Sequence, residues 1–318
     1  MDDSPRELVE FRARFGSEAG CLDYLVALRW PDGFRCPVCG HSDSRRTAQG
    51  LLECRRRRRQ TSVTAGTLFH DTRKPLRLWF EAMWHVCSQK YGASALGLQR
   101  VLGLGSYHTA WRWLHRLRRA MLRPGHDRLT GTVEVDETYI DGKHPGKPGG
   151  GAEGKALVVV AVEDRGRPET GERGIGRIRL AHVTSLCGFV QEQVAHGSTI
   201  RTHGWIVYDG LPSRGYVHEV VPPSEMTIEH LAVSLLKRWL LGTYQGAVKE
   251  QHLRYYLDEF TFRFNRRKSG SRGKLFYRLV QQALQAEPVT GARIIGGDSP
   301  GDDAEADPLS SGSEDQEL

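Results

Sequence analysis

The sequence predicts an α/β protein in which a mixed sheet flanked by helices follows a cysteine knuckle and three helices. Two cysteines separated by two residues, Cys36 and Cys39, open the knuckle. Apolar residues recur at helical spacing over residues 75–121, and β-branched residues alternate as in a strand from Thr132 onward. These patterns divide the chain into five segments: 1–30, 31–72, 73–125, 131–285 and 286–318.

Charge is unevenly distributed along the chain. The 318 residues carry a formal net charge of +7, but residues 294–318 hold eight acids and no lysine or arginine. Without these eight negative charges the rest of the chain carries +15, which predicts a polyanionic partner, with nucleic acid as the default. The last segment, 286–318, is rich in Gly, Ser, Asp and Glu, a composition typical of disorder.

The sequence does not predict a membrane-bound or secreted protein. No run of 18 apolar residues occurs, and the N-terminus MDDSPREL is charged. We therefore expect no membrane partner and a cytoplasmic location. Cys21, Cys87 and Cys187 are scattered and do not predict a disulfide framework.

The cysteine pattern predicts a zinc site that lacks one of its four ligands. After Cys36 and Cys39, Cys54 follows at the spacing of a zinc ribbon. A second knuckle would place its other ligand at position 57, where the sequence has Arg57. Because a guanidinium has no lone pair to donate, three thiols and Arg57 make a poor tetrahedral site, and zinc binding stays open on these grounds. The candidate replacement ligands are His41 and His70.

Three helices are predicted within residues 75–121, in an order typical of a helix-turn-helix. The third helix, which Ser106 opens, interleaves tryptophans with a basic stripe. The stripe predicts contacts with phosphate or a DNA groove, and its residues are Arg112, Arg116 and Arg119. The alternative is a basic, solvated helix of a three-helix bundle.

The segment 131–285 is predicted to form the sheet. Its first strand, 132–140, alternates so that Glu134, Asp136 and Thr138 share one face. Further strands are predicted at 156–162, 176–182, 198–202 and 216–221, with helices at 186–195, 227–241 and 249–266. This order fits a ribonuclease-H-like mixed sheet.

Two features predict a metal-dependent reaction on phosphodiesters. Asp136 is an acid among apolar strand residues, which is costly unless it binds a partner or a metal. In the run YYLDEFTFRFNRR, helical spacing places Glu259, Arg263 and Arg266 on one stripe. Two Mg²⁺ ions held by carboxylates, with arginines on the phosphate, would use all four residues. The alternative is a solvated helix face whose ion pairs are each worth a few tenths of a kcal/mol.

Several segments together resemble bacterial insertion-sequence transposases that join a zinc ribbon to a DDE catalytic domain. They are RWPDGFRCPVCG, QTSVTAGTLFH, KPLRLWFEAMW, VEVDETYIDGK, LLKRWLLGTYQGAV and YYLDEFTFRFNRR, and the resemblance covers roughly residues 21–283. Asp136 matches the first catalytic aspartate of the family, and the spacing of Glu259, Arg263 and Arg266 resembles the signature of one subgroup.

The resemblance also carries expectations about fold, partners and cofactors. It implies a ribonuclease-H-like fold with a two-metal Mg²⁺ site. It implies double-stranded DNA partners, namely the terminal inverted repeats of a mobile element and its target DNA. A nucleoid-associated protein that is at least a dimer on DNA is expected, because transposition joins two ends.

The chain departs from this family at two positions. Where the family has Thr-Asp-Gly-Trp, with the aspartate as second metal ligand, this chain has Thr202-His203-Gly204-Trp205. The other departure is Arg57 in place of the fourth zinc cysteine. An imidazole offers one nitrogen to Mg²⁺, which prefers carboxylate oxygens, and it removes one negative charge. Asp209, six residues beyond His203, or Mn²⁺ in place of Mg²⁺ could compensate.

Three functional hypotheses follow. The first is a Mg²⁺-dependent transposase that is weak or inactive because of His203, so that enzymatic activity itself stays open. In it Asp136 and Glu259 hold the metal, while Arg263 and Arg266 steady the scissile phosphate. The second is a DNA-binding protein without catalysis that occupies element ends. The third is a ribonuclease-H-like nuclease that acts on structured nucleic acid.

Overall fold

The computed structural model describes residues 5–122, 128–141, 155–166, 174–182, 185–245 and 248–296. Most of the predicted acidic tail, residues 297–318, lies outside these ranges. Within them, no helix is long and apolar enough to cross a membrane.

Two helices and a small antiparallel sheet begin the chain. They are α1 (Leu8–Phe15), α2 (Glu18–Arg29), β1 (Ser44–Arg46), β2 (Leu52–Cys54) and β3 (Gln60–Thr61). The hydroxyl of Ser17 accepts a hydrogen bond from the N–H of Gly20 and so caps α2. The small sheet buries Leu52 and Cys54 with Phe34, which gives it a core of its own.

Three further helices follow at the predicted positions: α3 (Leu76–Ser88), α4 (Ala95–Leu102) and α5 (Tyr107–Arg119). Ser94 caps α4 through the N–H of Gly97, as its position before the apolar run predicts. Trp79 of α3 stacks on Trp113 of α5 with ring centroids 3.9 Å apart, which joins the first and third helices of the segment.

A C-terminal helix completes this N-terminal bundle. α9 (Arg272–Gln285) buries Phe276 against four rings of the first helices: Phe11, Phe15, Phe80 and Trp84. The segment predicted at 131–285 therefore ends in a helix that packs outside the sheet. α10 (Gly291–Gly296) follows and buries Ile294, so the prediction of disorder from residue 286 is wrong for residues 291–296.

The central sheet has five strands in the order β6-β5-β4-β7-β8. Their bounds are β4 (Thr132–Asp141), β5 (Lys155–Asp164), β6 (Ile175–His182), β7 (Thr199–Thr202) and β8 (Val217–Val220). The first three strands pair antiparallel, whereas β7 pairs parallel with both β4 and β8. This mixed sheet confirms the predicted ribonuclease-H-like class.

Helices cover both faces of the sheet. On one face, α7 (Thr227–Tyr244) and α8 (Glu250–Asn265) bury Leu236 and Leu257 against Val158 and Val160. On the other face, α6 (Leu186–Gln193) packs on Val133 and Val135. Because successive strand residues point to opposite faces, Glu134 and Asp136 face the layer that contains α7.

The register between β4 and β7 positions Asp136 beside His203. Thr132 pairs with Thr199 and Glu134 with Arg201, after which β7 ends at Thr202. Continuing this parallel register by two residues brings Asp136 level with His203.

Candidate active site at the end of the parallel strands

Asp136 and His203 meet where β4 and β7 stop pairing. Nδ1 of His203 lies 3.0 Å from Oδ1 of Asp136. The next residue, Gly204, has a φ of 90°, a left-handed conformation that favours glycine and turns the chain away from the sheet. The structure therefore brings these two predicted site residues together. Asp209, the candidate substitute, ends a 3-10 turn and joins no metal-binding group among the described residues.

Glu229, which was not among the predicted site residues, completes the site. It lies in the first turn of α7, and its backbone N–H donates a 3.0 Å hydrogen bond to Oε2 of Glu134. Since the first N–H groups of a helix lack partners within the helix, the buried carboxylate of Glu134 fastens the start of α7 to β4. This attachment places Glu229 beside Asp136.

The site concentrates negative charge out of water. Burial, followed by the neighbouring Asp136, raises the pKa of Glu229 to about 9, and Glu134 and Glu137 add to the shift. Burial also raises the pKa of Glu137, although that carboxylate accepts a hydrogen bond from the hydroxyl of Tyr208. Carboxyl groups crowded in this way gain from a divalent cation that replaces their protons.

Two groups of potential metal ligands share Asp136. In each group, one ligand atom per residue lies within 4.8 Å of the others. The groups are Asp136, Glu229 and His230, and Asp136, Glu137 and His203. Oε2 of Glu229 is buried and has no hydrogen-bond partner among the described residues, which is costly for a polar atom. The donor set thus fits a divalent cation.

The structure does not bring Glu259 to this site. Its carboxylate is fully buried between Nε of Arg118 and Nε of Arg263, each at 2.8 Å, and it accepts a 3.3 Å hydrogen bond from the hydroxyl of Tyr244. Burial alone would raise the pKa of Glu259, but Arg263 and Arg118 outweigh it and lower the pKa. Glu259 joins no metal-binding group of the described residues. It ties α8 to α5, because this side of α8 faces the N-terminal bundle.

Arg263 and Arg266 are also engaged within the fold. Arg263 donates to the backbone oxygens of Gln89 at 2.8 Å and Val86 at 2.6 Å, and so caps the C-terminal end of α3. Arg266 donates to the backbone oxygen of Phe262 at 3.2 Å and lies over the Phe262 ring. The geometry does not support the prediction that these arginines hold a scissile phosphate.

The three ribbon cysteines converge as predicted. The Sγ atoms of Cys36, Cys39 and Cys54 all lie within 4.8 Å of one another, and those of Cys39 and Cys54 are 3.7 Å apart. The backbone N–H of Val38 points at the sulfur of Cys36 and lowers its pKa. The backbone N–H of His41 would lower the pKa of Cys39, but burial and the sulfurs of Cys36 and Cys54 outweigh it and raise that pKa. His41 and His70 do not join this group, so the described residues supply three corners of a tetrahedral site.

The second knuckle keeps the backbone of the first although it lacks the second thiol. In the first knuckle, Gly40 has a φ of 68° and donates a 2.9 Å hydrogen bond to the backbone oxygen of Cys36. In the second, Arg58 has a φ of 56° and donates a 2.8 Å hydrogen bond to the backbone oxygen of Cys54. Arg57 therefore occupies the position that Cys39 has in the first knuckle.

Two family models match the chain. Residues 128–265 match an ISXO2-like transposase domain, and residues 16–60 match a transposase zinc-ribbon domain. The chain belongs to the insertion-sequence transposases that carry these two domains. Comparisons with curated proteins and with solved structures gave no match. The matches confirm the family resemblance, and a transposase of this family binds DNA. The ribbon match begins earlier than the predicted segment 31–72, and the catalytic match ends with α8.

The basic helix α5 of the transposase has a buried and an accessible side. Trp113, Leu114 and Leu117 are buried in the bundle. The predicted DNA-binding residues Arg112, Arg116 and Arg119 are all partly exposed. Burial and the neighbouring Arg112 lower the pKa of Arg116.

A cavity of about 690 Å³ opens beside the first turns of α5 and α8. Tyr107, Trp111, Arg112 and Lys249 are among its lining residues. It is separate from the carboxylates of the candidate site, none of which lines it. The cavity therefore does not mark the proposed centre of catalysis.

Glu229 was not identifiable as a ligand from the first-turn position alone, because an acid in the first turn of a helix has an ordinary explanation. Such acids interact favourably with the helix dipole wherever the helix lies. The available signal was its neighbourhood: Glu229 sits directly after Ile228, which begins a buried stripe that continues with Ala232 and Leu236. An acid at the edge of a stripe that packs on the Asp136 face of the sheet is a candidate ligand.

Proposed function

We propose that this transposase cleaves DNA at the inverted-repeat ends of its element and joins them to target DNA. Asp136 and Glu229 provide carboxylate ligands, and His203 occupies the position of the family's second aspartate. When bound, divalent cations would activate the attacking water or 3′-hydroxyl and stabilise charge on the phosphate. The observation that carries the proposal is the convergence of Glu229 and His203 on Asp136 at the end of β7.

The substitution at His203 is proposed to weaken Mg²⁺-dependent activity. Mg²⁺ requires nearly octahedral oxygen ligands, whereas His203 supplies a nitrogen that lies 3.0 Å from the Asp136 carboxylate. Loss of one ligand charge can lower turnover by several orders of magnitude, since each 1.4 kcal/mol, roughly, is a factor of ten in rate.

A strand-cleavage assay with the cognate element ends and Mg²⁺ tests both statements. His203→Asp should raise Mg²⁺-dependent cleavage by about 100-fold or more, because it restores a hard oxygen ligand. Adding Glu229→Gln to His203→Asp should abolish the gain. Robust Mg²⁺-dependent cleavage by the unaltered chain would contradict the proposed weakness, and failure of His203→Asp to cleave would count against the proposed site.

The remaining features support DNA recognition by the same chain. Arg112, Arg116 and Arg119 are proposed to contact phosphates along α5, and the ribbon is proposed to extend this surface. A dimer or larger assembly on DNA is proposed because two ends must be joined. If zinc binds, it would be held by Cys36, Cys39 and Cys54, with its fourth ligand from outside the ribbon sequence.

A second candidate function is a DNA-binding protein that occupies element ends without cutting them. The contact of His203 with Asp136 favours it, because a ring nitrogen 3.0 Å from Oδ1 of Asp136 occupies a carboxylate oxygen that a cation would need. Binding to element ends that survives chelation, together with no cleavage by either the unaltered chain or His203→Asp, would support this alternative.

A further inference from the structure

Each of the two ligand groups that share Asp136 contains an imidazole. His230 accompanies Glu229 in one group, and His203 accompanies Glu137 in the other. A site built for Mg²⁺ would be expected to offer oxygen alone, since Mg²⁺ is a hard cation. Imidazole nitrogen raises affinity for first-row transition metals far more than for Mg²⁺. The composition of the site therefore bears on which cation it binds.

Glu229 and His230 do not form a hydrogen-bonded ion pair. Nε2 of His230 lies 3.6 Å from Oε2 of Glu229, which is too long for a hydrogen bond. That oxygen has no hydrogen-bond partner among the described residues, and the Glu229 side chain is only 1% exposed. The His230 side chain is 54% exposed, so its ring borders solvent from which a cation can enter. A buried carboxylate oxygen facing an accessible imidazole is the arrangement that a cation would complete.

The second group is similarly open to a ligand. The hydroxyl of Tyr208 bonds to one carboxylate oxygen of Glu137, Oε1, and leaves Oε2 available. His203 is partly exposed and contacts Asp136 through Nδ1. Asp136 has two carboxylate oxygens and can serve both groups, as carboxylates that bridge two cations do.

We propose that this cluster binds transition-metal cations, with Mn²⁺ as the type example, in preference to Mg²⁺. Asp136 is shared between one subsite with Glu229 and His230 and another with Glu137 and His203. The proposal rests on the same location as the proposed function and names the cation class of that site. Binding can be measured without DNA, so the two proposals can fail separately.

Mn²⁺ binding to the full-length protein without DNA is the direct test. Mn²⁺ is a suitable probe because it prefers oxygen and nitrogen ligands, so the ribbon thiols compete little. Electron paramagnetic resonance of free Mn²⁺ and titration calorimetry should show about two sites per chain, and Mg²⁺ should displace Mn²⁺ only at roughly tenfold or higher concentration. Equal affinity for the two cations, or no Mn²⁺ binding, would overturn the proposal.

Three variants assign the preference to named side chains. His203→Asp and His230→Gln should each reduce the Mn²⁺ to Mg²⁺ affinity ratio about tenfold, because each removes one imidazole. His196→Ala is the matched control, since this exposed histidine of the same domain contacts Tyr216 and the backbone of Arg214 instead. Thermal unfolding checks that each variant is folded. An unchanged ratio in both folded site variants would overturn the assignment.

The outcomes separate this proposal from the proposed function. Tight Mn²⁺ binding that depends on His203 and His230, with no cleavage under any cation, would support the metal assignment and contradict the catalytic one. Cleavage by the unaltered chain that is as fast with Mg²⁺ as with Mn²⁺ would support the proposed DNA cleavage and contradict the proposed metal preference.

Discussion

At the scale of residues, two buried glutamates have opposite surroundings, which suit them to different roles. Glu259 contacts two guanidiniums and a tyrosine hydroxyl, so its charge is balanced inside the fold. Glu229 contacts other acids and an accessible imidazole, and one of its oxygens lacks a partner among the described residues. The partners of an acid, rather than its place on a helix, decide which one is available to a cation.

Glu259→Gln should destabilise the protein by about 3–5 kcal/mol, because it leaves the buried guanidinium of Arg118 without its counter-charge. Chemical denaturation measures the loss. Glu287→Gln is the control, since Glu287 is exposed and should change stability by less than about 0.5 kcal/mol.

The pH dependence provides a further check on this substitution. The pKa of Glu259 lies below its ordinary value of 4.5, so its ion pairs stabilise the fold above that pH and lose this contribution as the pH falls below it. The stability gap between the unaltered chain and Glu259→Gln should therefore shrink progressively as the pH is lowered below 4.5, the ordinary pKa of a glutamate. Unaltered stability of Glu259→Gln together with lost Mn²⁺ binding would instead identify Glu259 as a metal ligand.

The sequence predicted residue chemistry better than residue partners. Asp136 was identified because an acid in an apolar strand needs a partner, and this argument is local. The role of Glu259 depended on which neighbour its side of α8 contacts, and helical spacing contains no such information. The buried stripe of α7 made Glu229 a candidate, but its place beside Asp136 depends on Glu134, which fixes the start of α7 on the sheet.

At the scale of elements, the second knuckle of the ribbon has the backbone conformation of a zinc knuckle but lacks one of its two thiols. Arg58 adopts a left-handed conformation that is uncommon for residues other than glycine, and it makes the same hydrogen bond as Gly40 in the intact knuckle. The small core around Phe34 and Leu52 supports this geometry without requiring a fourth thiol. The second knuckle is therefore preorganised for a ligand that Arg57 cannot provide.

Arg57→Cys should create a closed four-thiolate zinc site, because the required turn is already present. We expect about one Zn²⁺ per chain that a weak chelator does not remove, with apparent coupling to folding on the order of 10 kcal/mol. Zinc content and thermal unfolding with and without chelator measure the effect. Arg56→Cys adds the same thiol one position earlier and should bind zinc no better than the unaltered chain. Equal zinc retention by both variants would contradict the assigned knuckle geometry.

Element positions were predictable wherever the pattern is local. The strand predicted at 132–140 is observed as Thr132–Asp141, and the helix predicted at 249–266 as Glu250–Asn265. α9 was not predicted as a separate helix, and its packing could not have been inferred from its own sequence. Its apolar stripe fits any apolar surface, and the choice of the N-terminal bundle depends on distant residues such as Phe11 and Phe80.

At the scale of the whole molecule, the N-terminal bundle and the central sheet are joined by buried contacts. Glu259 of α8 pairs with Arg118 of α5, and Arg263 caps α3. Phe262 of α8 and Phe276 of α9 belong to the same core as the N-terminal helices. Motion of α5 relative to the sheet would break buried ion pairs, so in the folded protein the two regions are expected to keep a fixed relative position.

Phe276→Ala should cost about 3–5 kcal/mol and should loosen the N-terminal bundle before the sheet, since all four of its ring partners lie in that bundle. Hydrogen exchange resolved along the chain measures the order of loosening. Arg278→Ala on the exposed side of α9 should have little effect. Equal loosening of both regions would show that they unfold as a single cooperative unit.

The positive charge of α5 can be tested through the salt dependence of DNA binding. Loss of one phosphate contact should reduce the slope of log affinity against log salt by about 0.9. We expect this reduction for each of the variants Arg112→Gln, Arg116→Gln and Arg119→Gln. Fluorescence anisotropy on duplex DNA at several salt concentrations gives the slope. Arg278→Gln removes the same charge from an exposed position on α9 and should leave the slope unchanged. Slopes unaffected by all three α5 changes would place the DNA elsewhere.

The position of α9 also has a consequence for synthesis on the ribosome. The helices that begin the chain are made first, yet the aromatic side chain that fills the centre of their bundle is residue 276. A nascent chain must therefore keep its opening helices incompletely packed until residue 276 has been translated. A shortened translation product that ends before this helix would lack a finished bundle and would be a poor competitor for the DNA sites of the full-length protein.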